Sequence, residues 1–184
     1  LRHQHNPLSS VHAARDKYEM RQRFLKESVP SPVSLLRSLD DRLGQEAERT
    51  LYPAVLKPLN LSSSQGVLRV NNPGEFHLAA ERIAAILRNK NREILVEEFL
   101  SGPEVALEGL LTGGRLHTLA LFDKPDPLEG PTFEETIYIT PSRLPRQVQK
   151  QIHATVQKGC IALGLKEGPV HAEVRLPVQG PHII

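Results

Sequence analysis

The chain is poor in several residue types that often announce a function. Its 184 residues contain one cysteine, Cys160, no tryptophan and only 4% aromatics. A single thiol excludes an internal disulfide framework and suits a reducing, cytoplasmic setting. With so few aromatic rings, the core has to be aliphatic. No apolar run approaches the ~18 residues needed to span a bilayer. The net charge of +2, without a long basic run, excludes an electrostatic nucleic-acid binder. No G-x-x-x-x-G-K-[ST] segment occurs, which disfavours phosphoryl transfer of the P-loop type. The start, Leu1-Arg2-His3-Gln4-His5, lacks both an initiator methionine and a signal-peptide pattern, and reads as a piece of a longer chain.

What is present describes a globular protein, with 39% hydrophobic and 24% charged residues and 15 prolines to punctuate its elements. The first ten residues lack periodicity and read as a frayed end. Val11, Ala14, Tyr18, Arg21 and Leu25 then predict one helix that Pro30 ends. Pro32 to Leu36 is a candidate strand, and Ser38 a candidate cap for a helix through Leu39, Leu43 and Ala47. From Tyr52 to Val67 an apolar run delivers Lys57 to a loop of small residues, and a second apolar run leaves it. Such a hairpin places an ammonium and a row of backbone N–H groups where a polyphosphate could lie. Asn72-Pro73 predicts a helix start, with Phe76, Ala79, Ala80, Ile83, Ala84 and Leu87 on the apolar stripe and a stop at 89–91. Strands are predicted at 93–96, 104–111, 116–122 and 133–140. A long helix follows from Leu144-Pro145 to Gly164, and Cys160 on its apolar stripe reads as a small buried hydrophobe.

Strand alternation carries a sharper inference. In Val170-His171-Ala172-Glu173-Val174-Arg175-Leu176 the even positions are apolar, so one face is core and the other presents His171, Glu173 and Arg175. The same rule sets Glu104 and Glu108 opposite Val105 and Leu107. Two strands thus offer carboxylates on polar faces. The predicted class is α+β, in two lobes joined near 97–103.

Four stretches in order carry a family resemblance: Asp16-Lys17 with Met20-Arg21 and Val29-Pro30, Tyr52-Pro53 through Lys57-Pro58 and the Ser/Gly loop, Val96 through Glu104, and Gly168-Pro169-Val170-His171-Ala172-Glu173. Together they resemble the ATP-grasp superfamily, which includes D-alanine–D-alanine ligase, biotin carboxylase and the L-amino-acid ligases. The resemblance implies two α+β lobes with antiparallel sheets clamping a nucleotide. It implies that Lys57 and Lys17 contact phosphates and that Ser62, Ser63, Ser64, Gln65 and Gly66 close over them. Glu97 would accept from the adenine amino group, the backbone of Glu98, Phe99 and Leu100 would meet the ring edge, and Phe99 would pack beside the base. Glu104 would hold the ribose diol, and Glu173 would bind magnesium, with manganese as an alternative.

In the family the metal carboxylate has a partner in a Glu-x-Asn-x-Arg pattern on the next strand. Here that strand is Pro181-His182-Ile183-Ile184, which implies a fragment that is inactive alone. Lys124, Glu135, Arg143 and Arg175 are candidate catalytic residues. Glu134 through Pro141 is similar to an acidic strand of L-amino-acid ligases, with Ile137-Tyr138 where those have Gly-His. The implied organisation is 1–50 as a helical segment and linker, 51–101 as the small lobe, and 102–184 as the large lobe. The implied function is ATP-dependent ligation of a small carboxylate, such as an amino acid, to an amine, with a homodimer possible. Alternatives are a bicarbonate-activating carboxylase-type enzyme and a non-catalytic nucleotide-binding module.

Overall fold

The computed structural model describes residues 4–39, 43–88, 92–134 and 136–184. Contacts divide the chain into two compact units, one comprising Pro32–Phe99 with Leu128–Glu134, the other Leu1–Ser31, Leu100–Pro127 and Glu135–Ile184. Each unit carries a four-stranded antiparallel sheet, as the α+β reading requires.

In the first unit, β1 (Ser34–Ser38), β2 (Ala54–Pro58), β3 (Leu68–Val70) and β4 (Glu93–Glu98) pair in the order β1-β4-β2-β3. Helices α3 (Leu43–Arg49) and α4 (Pro73–Leu87) complete it. One sheet face, with Ala54, Leu56, Leu68, Val70, Ile94 and Val96, packs on Phe76, Ala79, Ala80 and Ile83 of α4. The predicted start of α4 is realised: Asn72 accepts the Glu75 N–H at 2.9 Å, and Pro73 occupies the first turn. The helix closes on Arg88 in the left-handed region at φ 47°; the predicted stop at 89–91 lies outside the described residues. Ser38 is corrected from a helix cap to the last residue of β1.

The second unit contains α1 (Leu8–Arg15), α2 (Lys17–Lys26), β5 (Glu104–Thr112), β6 (Arg115–Lys124), α5 (Arg146–Leu163), β7 (Gly168–Arg175) and β8 (His182–Ile183), with sheet order β6-β5-β7-β8. The single helix expected from Val11 to Leu25 is two. Asp16 leaves helical geometry at φ −99°, ψ 113°, and its carboxylate accepts the Glu19 N–H to start α2. A short acid competing for a backbone amide makes this break. The buried positions are consequently Ser10, Ala13, Arg21 and Phe24, while Val11 and Leu25 are exposed. Residues before Ser10 are not frayed throughout: the Asn6 amide donates to the Glu167 carbonyl at 2.7 Å and accepts from Lys166 N at 2.7 Å.

The strand expected at 133–140 is absent among the described residues. Isolated bridges join Leu68 to Thr132 and Asp123 to Ile139, in place of a ladder. Ile137 and Tyr138 are exposed, so the segment has no apolar face to bury. By contrast α5 follows its pattern: Ile152, Val156 and Cys160 pack against Val105, Leu107, Leu121 and Val174, and Gly164 closes the helix at φ 72°.

Candidate functional site

Register decides which charged side chains meet. In the first unit Val55 pairs with Arg69 on one side and Glu97 on the other, and Glu97 pairs with Ser34. Directly paired residues project to one face, so Arg69, Val55, Glu97 and Ser34 form a rank opposite the α4 core. Lys57, paired with Leu95, lies in the next rank on that face, nearer the loop. Lys57 Nζ stands 2.8 Å from Glu97 Oε2, and the Ser34 hydroxyl donates to Glu97 Oε1 at 2.9 Å. Both charges are buried, with side chains 11% and 1% exposed. Retaining a buried ion pair where apolar residues would pack is weak evidence for stability and better evidence for a charged ligand.

The loop between β2 and β3 is a tight turn. Gln65 N donates to the Ser62 carbonyl and Val67 N to the Ser64 carbonyl. Ser63 and Ser64 adopt φ of 55° and 52°, the left-handed region that costs a residue with a Cβ about 1–2 kcal/mol. Gly66, at φ 73°, could not carry a side chain: a Cβ there would fall 2.9 Å from Pro58 Cγ. Strain and close approach are concentrated in the stretch expected to meet phosphates.

At the end of β4 the Glu98 N–H donates to the Val33 carbonyl and the Phe99 N–H to the Pro53 carbonyl. The Glu98 carboxylate accepts the Val33 N–H at 2.9 Å. Among the described residues the Leu100 N–H makes no hydrogen bond to another backbone group. The guanidinium of Arg69 lies 4.1 Å from the Phe99 ring centroid.

In the second unit, Glu104 pairs across strands with Lys124 and Arg175, Ala106 with Phe122 and Glu173, and Glu108 with Ala120 and His171. All lie on the face opposite the α5 core. Lys124 Nζ bridges Glu104 Oε1 at 2.6 Å and Glu173 Oε1 at 2.7 Å, while Arg175 Nε binds Glu104 Oε2 at 2.8 Å. His171 Nδ1 meets Glu108 Oε1 at 2.6 Å. Lys124, Glu104 and Arg175 are almost fully buried, whereas Glu173 is 32% exposed. Two cations and two carboxylates thus neutralise one another on one sheet face, with Glu173 as the member that solvent reaches.

The candidates do not all gather there. Lys17 opens α2, half-buried. Arg143 sits 3.6 Å from Asp123, which pairs with Val105 and so faces away from Lys124 and Glu173; its side chain is 70% exposed. Glu135 lies outside the described residues. Sequence reasoning missed Ser34, Arg69 and Glu129. The Ser34–Glu97 contact depends on β1 pairing with β4, which no local pattern reveals. Arg69 was legible, since Leu68-Arg69-Val70 alternates and turns the arginine away from the core.

Magnesium takes one or two carboxylates and completes its shell with nucleotide phosphates and water. Glu173, anionic and partly exposed, fits as one such donor. Among the described residues no group of three or more His, Cys, Asp or Glu side chains could hold a metal alone. A depression of about 620 Å³ opens elsewhere, at the β3 edge of the first unit, where Leu68, Leu78, Arg82 and Pro131 help line it. Arg69, Glu129 and Gly130 also line it, and none of the catalytic, nucleotide or metal candidates named from the sequence does.

The decisive comparison is with known domain families, where residues 50–184 match the ATP-grasp domain. The chain belongs to the ATP-grasp family. It is 29% identical to alanine–anticapsin ligase of Bacillus subtilis (strain 168) over 89% of this chain and 38% of that protein. It is 30% identical to dapdiamide A synthase of Enterobacter agglomerans over 94% of this chain and 41% of that one. The chain therefore spans about two fifths of the length of these curated relatives. The L-amino acid ligase of Bacillus licheniformis superposes with a TM-score of 0.82 at 30% identity, covering 98% of this chain and 42% of that one. The D-alanine-D-alanine ligase of Coxiella burnetii, at 16% identity and a TM-score of 0.78 over 97% of this chain and 48% of that one, shares the ATP-grasp fold. Among the described residues no helix is long and apolar enough to cross a membrane.

Proposed function

We propose that this ATP-grasp chain binds MgATP and serves an ATP-dependent carboxylate–amine ligase acting on an amino acid or a similar small carboxylate. The observation that carries the reading is the charge cluster of the second unit, where Lys124 bridges Glu104 and Glu173. The buried Lys57–Glu97 pair and the strained loop at 62–66 support it. Relatives named alanine–anticapsin ligase and L-amino acid ligase, each aligned over most of this chain, support the reaction class.

In the proposed chemistry a substrate carboxylate oxygen attacks the γ-phosphorus of ATP. The bond to the β,γ-bridging oxygen breaks, ADP leaves, and an acyl phosphate forms. An amine then attacks the acyl carbon, phosphate departs, and the amine's proton passes to solvent. The residues act by neutralising and positioning charge. Lys57 and the backbone amides of 62–66 serve the phosphates, and Lys17 is a further phosphate contact. Glu97 and the Leu100 N–H serve the adenine edge. Glu104 serves the ribose while holding Lys124 and Arg175 through its two oxygens. Lys124 serves the transferred phosphoryl group and Glu135 is assigned to the substrate side, whereas Arg143, beside Asp123 on the other face, is given no role. Glu173 would hold the magnesium ion, whose chemistry is to offset charge on the phosphate oxygens.

Calorimetric titration with MgATP tests the binding step. The chain should bind, and the paired substitution Lys57→Met with Glu97→Gln, which removes both charges together, should weaken binding at least about tenfold. Unchanged binding would remove Lys57 and Glu97 from the site. With the full-length protein, hydroxylamine added with ATP and a panel of amino acids should trap acyl hydroxamate; ADP release that requires bicarbonate instead would favour the carboxylase-type reading.

A further inference from the structure

We propose that Arg69 is a positioning residue for the nucleotide base, acting through Phe99; this rests on the nucleotide reading above. Arg69 shares a sheet face and a cross-strand rank with Glu97, separated from it by Val55. Two strand spacings put the Arg69 and Glu97 backbones about 10 Å apart, a span comparable to a purine with its flanking contacts. Within this rank Arg69 and Glu97 are the two charged side chains, and the rank lies one step further from the 59–67 loop than Lys57.

Its guanidinium is held on several sides. It covers the Phe99 ring at 4.1 Å, donates Nε to Asn71 Oδ1 at 3.0 Å, and donates Nη1 to the Glu129 carbonyl at 2.7 Å and the Glu129 carboxylate at 3.1 Å. Its backbone is fixed as well, since Arg69 N donates to the Pro131 carbonyl at 2.9 Å and Leu68 bridges to Thr132. Gly130 admits the approach: at φ 89° it has no side chain, and a Cβ there would fall 2.7 Å from Arg69 Cβ. The segment 128–134 is therefore seated on the β3 edge and locks the arginine over the ring.

A planar, permanently charged guanidinium is suited to this task, because it can stack on an aromatic face while its N–H groups bind in their own plane. A lysine has a tetrahedral ammonium and no plane to lay on the ring while its N–H groups donate sideways to Asn71 and Glu129. Phe99 follows Glu98 directly, so fixing its ring also fixes the backbone that leads to the Leu100 N–H. The function assigned to Arg69 is to hold one wall of the base site while leaving the phosphate contacts to Lys57 and the loop.

The test compares MgATP with magnesium tripolyphosphate, which has phosphates but no base, on the 184-residue chain by calorimetry. The unchanged chain should prefer ATP. Arg69→Lys and Arg69→Ala should weaken ATP binding by about three- to tenfold and leave tripolyphosphate binding unaltered, so that the base preference shrinks. Glu129→Gln, which frees the guanidinium on one side, should move the preference in the same direction by less. Arg69→Lys preserves the charge and serves if Arg69→Ala fails to fold. Equal weakening for both ligands, or an unchanged preference in Arg69→Lys, would overturn the role of Arg69 while leaving the nucleotide reading intact. Failure of the unchanged chain to bind MgATP would overturn both.

Discussion

Lys57 and Glu97 illustrate how much a single side chain can depend on its partner. With Lys57 truncated to alanine, the buried Glu97 carboxylate would lose the cation that now stands 2.8 Å from it. Lys57→Ala should cost about 3–5 kcal/mol in urea unfolding, whereas Lys57→Met with Glu97→Gln should cost clearly less, because no net charge is stranded. A cycle in which the double substitution is as damaging as Lys57→Ala would show that packing, and not charge, dominates the site. Cys160 lies at the other extreme. Burial pushes its thiol up from 9.0 to about 11, so alkylation by iodoacetamide at pH 8 should run on the order of 100-fold slower in the folded protein than in urea. Above pH 9 the unfolded chain sheds this proton first, so stability from this group falls as pH rises from 9 toward 11.

Among the elements, α4 was the most legible, because its start is written in adjacent residues. Asn72 caps it, Pro73 enters its first turn, and Glu75 reaches back to the Asn71 N–H at 2.8 Å. That backbone hydrogen bond, with side-chain bonds from Asn71 and then Asn72, holds the Glu75 carboxyl below 4.5. A depressed acid contributes stability above its unfolded value and loses it as the pH falls through its folded value. Glu75→Gln should therefore flatten the acid limb of the stability curve below about pH 4.5, read as urea midpoints across pH 3 to 6; an unchanged limb would remove the capping contact from the account. The helix pair at the N-terminus was less legible. Periodicity across 11–25 suggested continuity, but Asp16 could satisfy Glu19 N only by leaving the helix. The segment at 133–140 failed for the opposite reason, since its apolar letters found no ladder to join.

At the scale of the molecule, the sequence announced two α+β lobes, and each unit has its own aliphatic core. Phe76 and Ile83 belong to the first, and Ile152 and Val156 to the second. Phe76→Ala should cost about 3–5 kcal/mol and Ile152→Ala about 2–5 kcal/mol. Hydrogen exchange should place the first loss in β1–β4 and α4, and the second in β5–β7 and α5. A uniform rise in exchange from either substitution would mean that the two cores unfold as one. Contacts also assign Leu128–Glu134 to the first unit, though the segment lies in sequence between two stretches of the second. Pro125-Asp126-Pro127 and Gly130-Pro131 mark a break in regular structure there, but nothing local says which unit the segment joins.

The local rules of the chain determined the alternation of β5 and β7, the hairpin around Lys57, the cap of α4 and the motifs that resemble the ATP-grasp superfamily. Each depends on neighbours within a few residues, which is the range over which turn chemistry and side-chain period act. Tertiary structure alone decided that Lys124 would stand between Glu104 and Glu173, and that Ser34 would reach Glu97. It also decided that Gly130 would make room for Arg69 to lie over Phe99. Those contacts join residues from 20 to 63 positions apart in sequence, and strand register, which has no short-range signature, sets which of them meet.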